Sequence, residues 1–178
     1  MISEKLELAL NEHMNEELFS AYLYFAMSAN FQTTSLDGFG NWMRCQALEE
    51  LSHTSKFYSF IIERGGKPAL TAVRAPQGSW SSPLSVFEEA LFHEKKITGL
   101  INDLVDLAHD ERDHATGIFL QWFVTEQVEE EATAGKIIDQ LQLLDSHPGG
   151  LYLLDQELKA RTVTPDALFP GVFAAGQA

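Results

Sequence analysis

The sequence predicts an all-α fold, a four-helix bundle with one long crossover and a short fifth helix at the C-terminal end. Three observations predict it. Four long stretches repeat apolar residues at three- and four-residue steps. No stretch alternates in the two-residue manner of a strand. The second and third stretches are joined by a long linker, RGGKPALTAVRAPQGSWS, while the joints on either side are short.

The first helix is expected from about Ser3 to Gln32, with a stripe of Leu6, Leu10, Met14, Glu17, Ala21, Tyr24 and Ser28. The second runs from about Phe39 to Arg64, with Asp37 as its cap and Gly65-Gly66 as its stop. Its stripe is Phe39, Met43, Gln46, Glu50, His53, Phe57 and Phe60. The third opens at Ser82-Pro83, a capping residue followed by proline at the first helical position. Its stripe includes Phe87, Ala90, Glu94, Ile97, Ile101 and Leu104. The fourth starts near Asp113 and carries Thr116, Leu120, Phe123, Gln127, Glu130, Ala134, Ile137 and Leu141. Gly135 marks a place where it can kink. The breaker HPGG precedes the fifth helix, LYLLDQELKA. An extended chain covers at most ~3.3–3.6 Å per residue, so the linker can return along a helix ~39 Å long. The second and third helices then run parallel.

The chain of 178 residues suffices for one domain with a substantial core. Residues 1–160 are expected to form that domain and residues 161–178 an extension. A net charge of −14 argues against nucleic acid or an anionic membrane as partner and favours cations. The single cysteine, Cys45, excludes an internal disulfide framework and reads as a packed thiol. MISEKLELAL is too charged for a signal peptide, and no apolar run approaches the ~20 residues of a membrane span. A cytoplasmic protein is expected.

Each stripe is interrupted near its middle by a metal-competent or hydrogen-bonding side chain: Glu17, then Glu50 and His53, then Glu94, then Gln127 and Glu130. At 1.5 Å per helical residue, Glu17, Glu50 and His53 lie ~18–24 Å from the first loop, and Glu94, Gln127 and Glu130 ~21–25 Å from the third. The interruptions therefore share one level and face one axis. A weak internal repeat supports the pairing, because an offset of 77 takes Glu17 to Glu94, Glu50 to Gln127 and His53 to Glu130. Buried carboxylates without a counter-ion cost several kcal/mol each, and a cation is the simplest remedy. Oxygen-rich ligands with one imidazole suit iron or manganese better than a closed zinc site. Glu50 can bridge two ions, with Glu17 and His53 completing one position and Glu94 and Glu130 the other.

A glutamate followed by Glu-x-x-His on a long-crossover bundle is the signature already described for ferritin-like di-metal proteins. The pieces NEELFSAYLYFAM, ALEELSH, HEKKIT, FLQWFVTEQVEEE and GLYLLDQEL make the sequence resemble a bacterial non-haem ferritin over about residues 1–160. The resemblance implies a ferritin-like bundle and a homo-oligomeric shell of twenty-four subunits. It implies an iron-storage protein with ferroxidase activity, which oxidises Fe(II) with dioxygen or hydrogen peroxide and deposits ferric mineral inside. It assigns Glu17, Glu50, His53, Glu94 and Glu130 to the di-iron centre. It gives Gln127 and Tyr24 supporting places, and Trp122 a place beside the centre. It also assigns Glu49, Glu126 and Glu129, with Glu130 shared, to a third iron position.

Departures from related patterns narrow the expectation. Residues 51–56 read LSHTSK, without a methionine, and the second half reads Gln127-x-x-Glu130 rather than Glu-x-x-His, so no haem is expected. The positions matching the acidic three-fold pore of other ferritins read as Gly117 and Leu120. His13, His93 and His147 are expected at the surface or at interfaces. Leu18, Phe19, Leu23 and Trp42 are expected to supply subunit contacts. DLAHDERDHA reads as a capped turn. Two rivals remain: a small di-iron or di-manganese redox enzyme that stores nothing, and a metal-free helical interaction protein.

Overall fold

A computed structural model describes residues 2–144 and 148–163. His147 and residues 164–178 of the expected extension lie outside the described residues. The elements are α1 (Glu4–Gln32), α2 (Asp37–Glu63), α3 (Pro83–Asp110), α4 (His114–Leu144) and α5 (Pro148–Leu158). Among the described residues there is no strand, and no helix is long and apolar enough to cross a membrane.

Local chemistry sets the helix ends. Ser3 Oγ accepts from Leu6 N at 3.2 Å and starts α1. Ser82 and Ser85 form a reciprocal capping box ahead of Pro83 and start α3. Asp113 Oδ1 accepts from Thr116 N at 3.0 Å at the head of α4, and its carboxylate also grips Arg64. Arg64 holds Asp113 at about 2, below the ordinary carboxylate range. The DLAHDERDHA segment is thus the capped turn expected of it. At α2 the expectation changes. Asp37 is already helical, and Leu36 at the cap position offers no side-chain bond. Asp155 of α5 supplies the cap instead, accepting from Gly38 N at 2.8 Å and Phe39 N at 3.2 Å. The approach is so close that a Cβ on Gly38 would stand 1.7 Å from the Asp155 carbonyl oxygen. The fifth helix therefore seals the end of the bundle where α2 begins. Gly135 causes no break, since α4 is continuous from His114 to Leu144.

The crossover is a strap tied to α1. Glu7 Oε1 accepts from Lys67 N, Asn11 Oδ1 from Ala69 N and Asn15 Oδ1 from Thr71 N. Asn11 and Asn15 return bonds to the carbonyls of Lys67 and Ala69. Further on, Arg74 pairs with Glu16, and Trp80 N reaches Asn30. Three acceptors four residues apart on α1 thus guide the linker from one end of the bundle to the other. That route makes α2 and α3 parallel, as the linker length predicts.

The core is two apolar clusters. One gathers Phe31, Phe39, Trp42, Phe87, Ile137 and Leu154. The other gathers Leu10, Phe57, Ile61, Ile101, Leu120 and Phe123. Along each long helix, the polar interruption falls between them. Leu120 belongs to this interior with 0% exposure, so it does not line a pore. Phe19, Leu23 and Trp42 are also buried within the subunit rather than offered to neighbours. The large apolar side chains left exposed include Tyr22, Leu70, Phe92 and Ile118.

Candidate metal centre

The layer between the clusters contains the residues expected of it. Glu17, Glu50, His53, Glu94, Gln127 and Glu130 are all at most 8% exposed. Helical spacing puts Glu50 and His53 on one face of α2, three residues apart. His53 Nδ1 stands 3.4 Å from Glu50 Oε2 and 3.9 Å from Glu17 Oε2. Ligand atoms of Glu17, Glu50 and His53 lie within 4.8 Å of one another, and so do those of His53, Glu126 and Glu130. Both groups can hold a cation.

Glu94 is oriented by neighbours. The Tyr24 hydroxyl donates to its Oε1, and Gln127 Nε2 donates to its Oε2 at 3.1 Å and its main-chain oxygen at 3.2 Å. Glu130 accepts from Gln46 Nε2. Glu17 Oε1 accepts from His13 Nε2 at 2.9 Å, while Glu17 Oε2 is buried without a hydrogen-bond partner among the described residues.

Burial and crowding set the protonation. Burial drives Glu50 well above the carboxylate range, and Glu94, Glu17 and Glu130 push it further. Burial takes Glu94 up to about 7, against the pull of the Tyr24 and Gln127 hydrogen bonds. Burial, then the charge of Glu94, takes Glu130 to about 8. Burial opposes ionisation of Glu17 too, but His13, together with His53 and Glu50, more than offsets it and holds Glu17 at about 2. Burial lowers His53 to about 4, so its ring is neutral at pH 7 and available as a ligand. Tyr24 is pushed well above its ordinary value by burial and Glu94, and remains a phenol. Acid side chains drawn together with too few positive neighbours have the electrostatics of a cation site.

A sequence profile described as the ferritin-like domain matches residues 7–144. The chain belongs to the ferritin family. It is 40% identical to a bacterial non-heme ferritin of Bacteroides fragilis (strain 638R), over 90% of this chain and 100% of that protein. It is 42% identical to a bacterial non-heme ferritin of Staphylococcus epidermidis (strain ATCC 35984), over 91% of this chain and 98% of that protein. Among solved structures it is similar to the open pore ferritin of the archaeon Archaeoglobus fulgidus, with TM-score 0.90 and 48% identity, covering 91% of this chain and 100% of that one.

In this ferritin the outer acids are arranged differently from the centre. Glu126 approaches His53 and Glu130. Glu49 is half-buried and paired with Arg161. Glu129 is exposed and belongs to neither metal-competent group. Trp122 is 41% exposed, meets His53 edge-on at 5.4 Å, and carries Lys56 Nζ 3.8 Å from its ring centre.

Four residues around this layer escaped the sequence reading of roles. His13 and His93, expected outside, are 3% and 6% exposed. His13 lies one turn before Glu17, where an i, i+4 search from each candidate ligand finds it. Its ring also lines a cavity of about 220 Å³ with Glu12, Glu16 and Asp103. His93 Nε2 sits 2.7 Å from Ser20 Oγ, away from the ligand atoms. Gln46 stands one turn before Glu50 in the stripe, and its tie to Glu130 had no sequence signal. Arg161, the first residue of the expected extension, contacts Gln46 and Glu49. It follows no helical period that would have marked it.

Proposed function

We propose that this ferritin is a ferroxidase and iron store, assembling as a shell of twenty-four copies. Fe(II) is the substrate, and dioxygen or hydrogen peroxide the oxidant. One Fe(II) is taken by Glu17, His53 and Glu50, a second by Glu94, Glu130 and Glu50. Two ions each give one electron, so that two Fe(II), dioxygen and two protons yield two Fe(III) and hydrogen peroxide. The chain's own part is positioning. His13 holds Glu17, Tyr24 and Gln127 hold Glu94, and Gln46 holds Glu130. Apolar clusters on both sides exclude bulk water, which strengthens the hold of the carboxylates on a cation. Protons displaced from Glu50, Glu94 and Glu130 leave as iron arrives. Ferric iron then moves past Glu126 and Glu49 to the mineral. The net charge of −14 suits a cation store, and the exposed Tyr22, Leu70 and Phe92 offer apolar surface for subunit contacts.

The observation that carries this reading is the convergence of four buried glutamates and one imidazole, from all four long helices, between two apolar clusters. Stopped-flow absorbance after mixing with Fe(II) in air tests it. Glu50→Ala is expected to abolish the fast phase and leave an assembled shell by light scattering. An unchanged fast phase would defeat the assignment, and a natural chain that runs as a dimer would defeat the storage shell.

A further inference from the structure

The segment after α5 is fastened along the outer part of α2. Asn41 Nδ2 donates to the main-chain oxygen of Arg161 at 2.9 Å and reaches that of Lys159 at 3.3 Å. Cys45 Sγ lies 3.6 Å from the Arg161 oxygen. These bonds fix the backbone, and the side chain then points along α2 toward the metal layer. Its guanidinium lies 4.5 Å over the Trp42 ring. Nη1 donates to Gln46 Oε1 at 2.8 Å, and Nη2 pairs with the Glu49 carboxylate. The far end of Gln46 donates to Glu130. One arginine therefore neutralises an acid of the outer cluster and, through a single amide, orients a carboxylate of the centre. The planar fork of a guanidinium suits two divergent acceptors, which a lysine ammonium on a flexible stem does not reproduce.

We propose that Arg161 is a built-in cation that competes with a third divalent metal ion for Glu49 and, through Gln46, restrains Glu130. A divalent ion held by His53, Glu126 and Glu130, whose ligand atoms lie within 4.8 Å of one another, can draw on Glu49 only in competition with Arg161, which pairs with that carboxylate. Arg161 must withdraw before that ion settles. The segment after α5, a second strap, thereby sets how readily iron passes from the dinuclear centre outward. The proposal rests on the reading of Glu50 and its neighbours as a metal centre. It adds a positioning residue from the C-terminal segment, with competition for an acid oxygen as its action.

The probe is Zn(II), which needs no oxidant, titrated into the assembled metal-free shell by calorimetry. Anomalous diffraction from soaked crystals locates the ions. Arg161→Gln, which removes the charge but keeps a polar side chain, is expected to tighten the weakest of three ions per subunit about tenfold. Arg161→Lys keeps the charge but loses the fork to Gln46, and is expected to tighten the third ion by no more than about threefold. Asn41→Ala loosens the strap without touching an acid and is expected to tighten the third ion about threefold, which keeps the test alive if Arg161→Gln does not assemble. Unchanged or weaker third-ion binding in both Arg161→Gln and Asn41→Ala overturns the proposal. Equal tightening in Arg161→Lys and Arg161→Gln also overturns it, because charge would then be irrelevant. Failure of the natural chain to bind two tighter ions at Glu17, Glu50, His53, Glu94 and Glu130 would instead sink the centre itself. That outcome is distinct from two tight ions with an indifferent third.

Discussion

The middle layer and the outer acid cluster on α2 and α4 use the same residue type under opposite rules. In the middle layer no Lys or Arg among the described residues bonds to Glu17, Glu50, Glu94 or Glu130. Their partners are two imidazoles, a phenol and two amides. Outside, burial raises both Glu49 and Glu126, and Arg161 and Lys56 respectively pull them back in part. The lesson concerns where a metal is needed. An acid cluster provided with protein cations is partly balanced. A cluster served only by weak donors is balanced by protonation, or by an ion from solution. The middle layer is therefore the stronger candidate for a metal, although the outer cluster has the more conspicuous run of glutamates, EQVEEE.

The widest contrast comes from charge removal at nearly constant volume. Glu94→Gln deletes one acid from the middle layer and disturbs its bonds with Tyr24 and Gln127. The initial rate of Fe(II) oxidation is expected to fall about 100-fold or more, since even indirect partners of metal ligands commonly cost ~10–100-fold. Stopped-flow traces at a few Fe(II) per subunit measure this. A loss below about threefold would make the two regions equivalent and dissolve the comparison.

His13 sharpens the contrast one step down. It touches Glu17 and reaches no other ligand of the centre in the hydrogen-bond pattern. His13→Ala frees the Glu17 carboxylate to rotate and is expected to slow initial oxidation about tenfold, mostly through a higher Fe(II) requirement. His13→Gln retains a donor at that position and is expected to recover most of the loss. Equal impairment in both variants would show that His13 contributes packing against Phe57, 4.7 Å away, rather than orientation.

This pair of residues also shows what a sequence discloses. The burial of Glu17, Glu50, His53, Glu94 and Glu130 in one layer was legible because a charged side chain in an apolar stripe is an anomaly with a period. The parallel pairing of α2 and α3 was legible from linker length. His13 and His93 were not, because a single stripe underestimates how much of α1 is covered. That helix packs on α2 and α3 and also carries the crossover, so its buried face is wider than one row of i+3 and i+4 steps. Asp155 and Arg161 were hidden for another reason. Their work depends on where α5 returns in space, and no local pattern encodes a contact separated by more than 100 residues, such as Gly38 with Asp155. Leu120 was legible as a core residue of the α4 stripe, and its burial agrees.

A smaller effect is expected in the stability of the metal-free protein. Glu94 and Glu130 sit at about 7 and about 8 when folded, against an ordinary value of 4.5. Over that window the folded chain holds more protons than the unfolded one, so stability falls as pH rises. The favourable contribution is complete below about 4.5 and gone above about 8. Melting of the metal-free shell is expected to come several degrees lower at about pH 8 than at about pH 5. The repulsion of a −14 chain acts in the same direction. Glu130→Gln separates the two, because it should flatten the slope while barely altering net charge. Saturating Zn(II) should flatten it as well, by binding only the folded state.

The smallest expected effect lies in the outer cluster, and it bears most directly on whether the two regions are distinct. Glu49 is paired with Arg161 at a half-buried position, where a single ion pair contributes little, typically ~0–1 kcal/mol. Glu49→Gln should therefore change the fast oxidation of the first two Fe(II) per subunit by less than about twofold, since it leaves the oxygen set of the middle layer untouched. Its consequence should appear later, when iron in excess of two per subunit must leave the centre: the slow phase should change amplitude, and a third Zn(II) should be lost from the calorimetric titration. Should the fast phase instead fall as far as it does in Glu94→Gln, the Arg161–Gln46–Glu130 chain would be transmitting the change inward. The outer acids would then be part of the centre rather than a separate station beyond it.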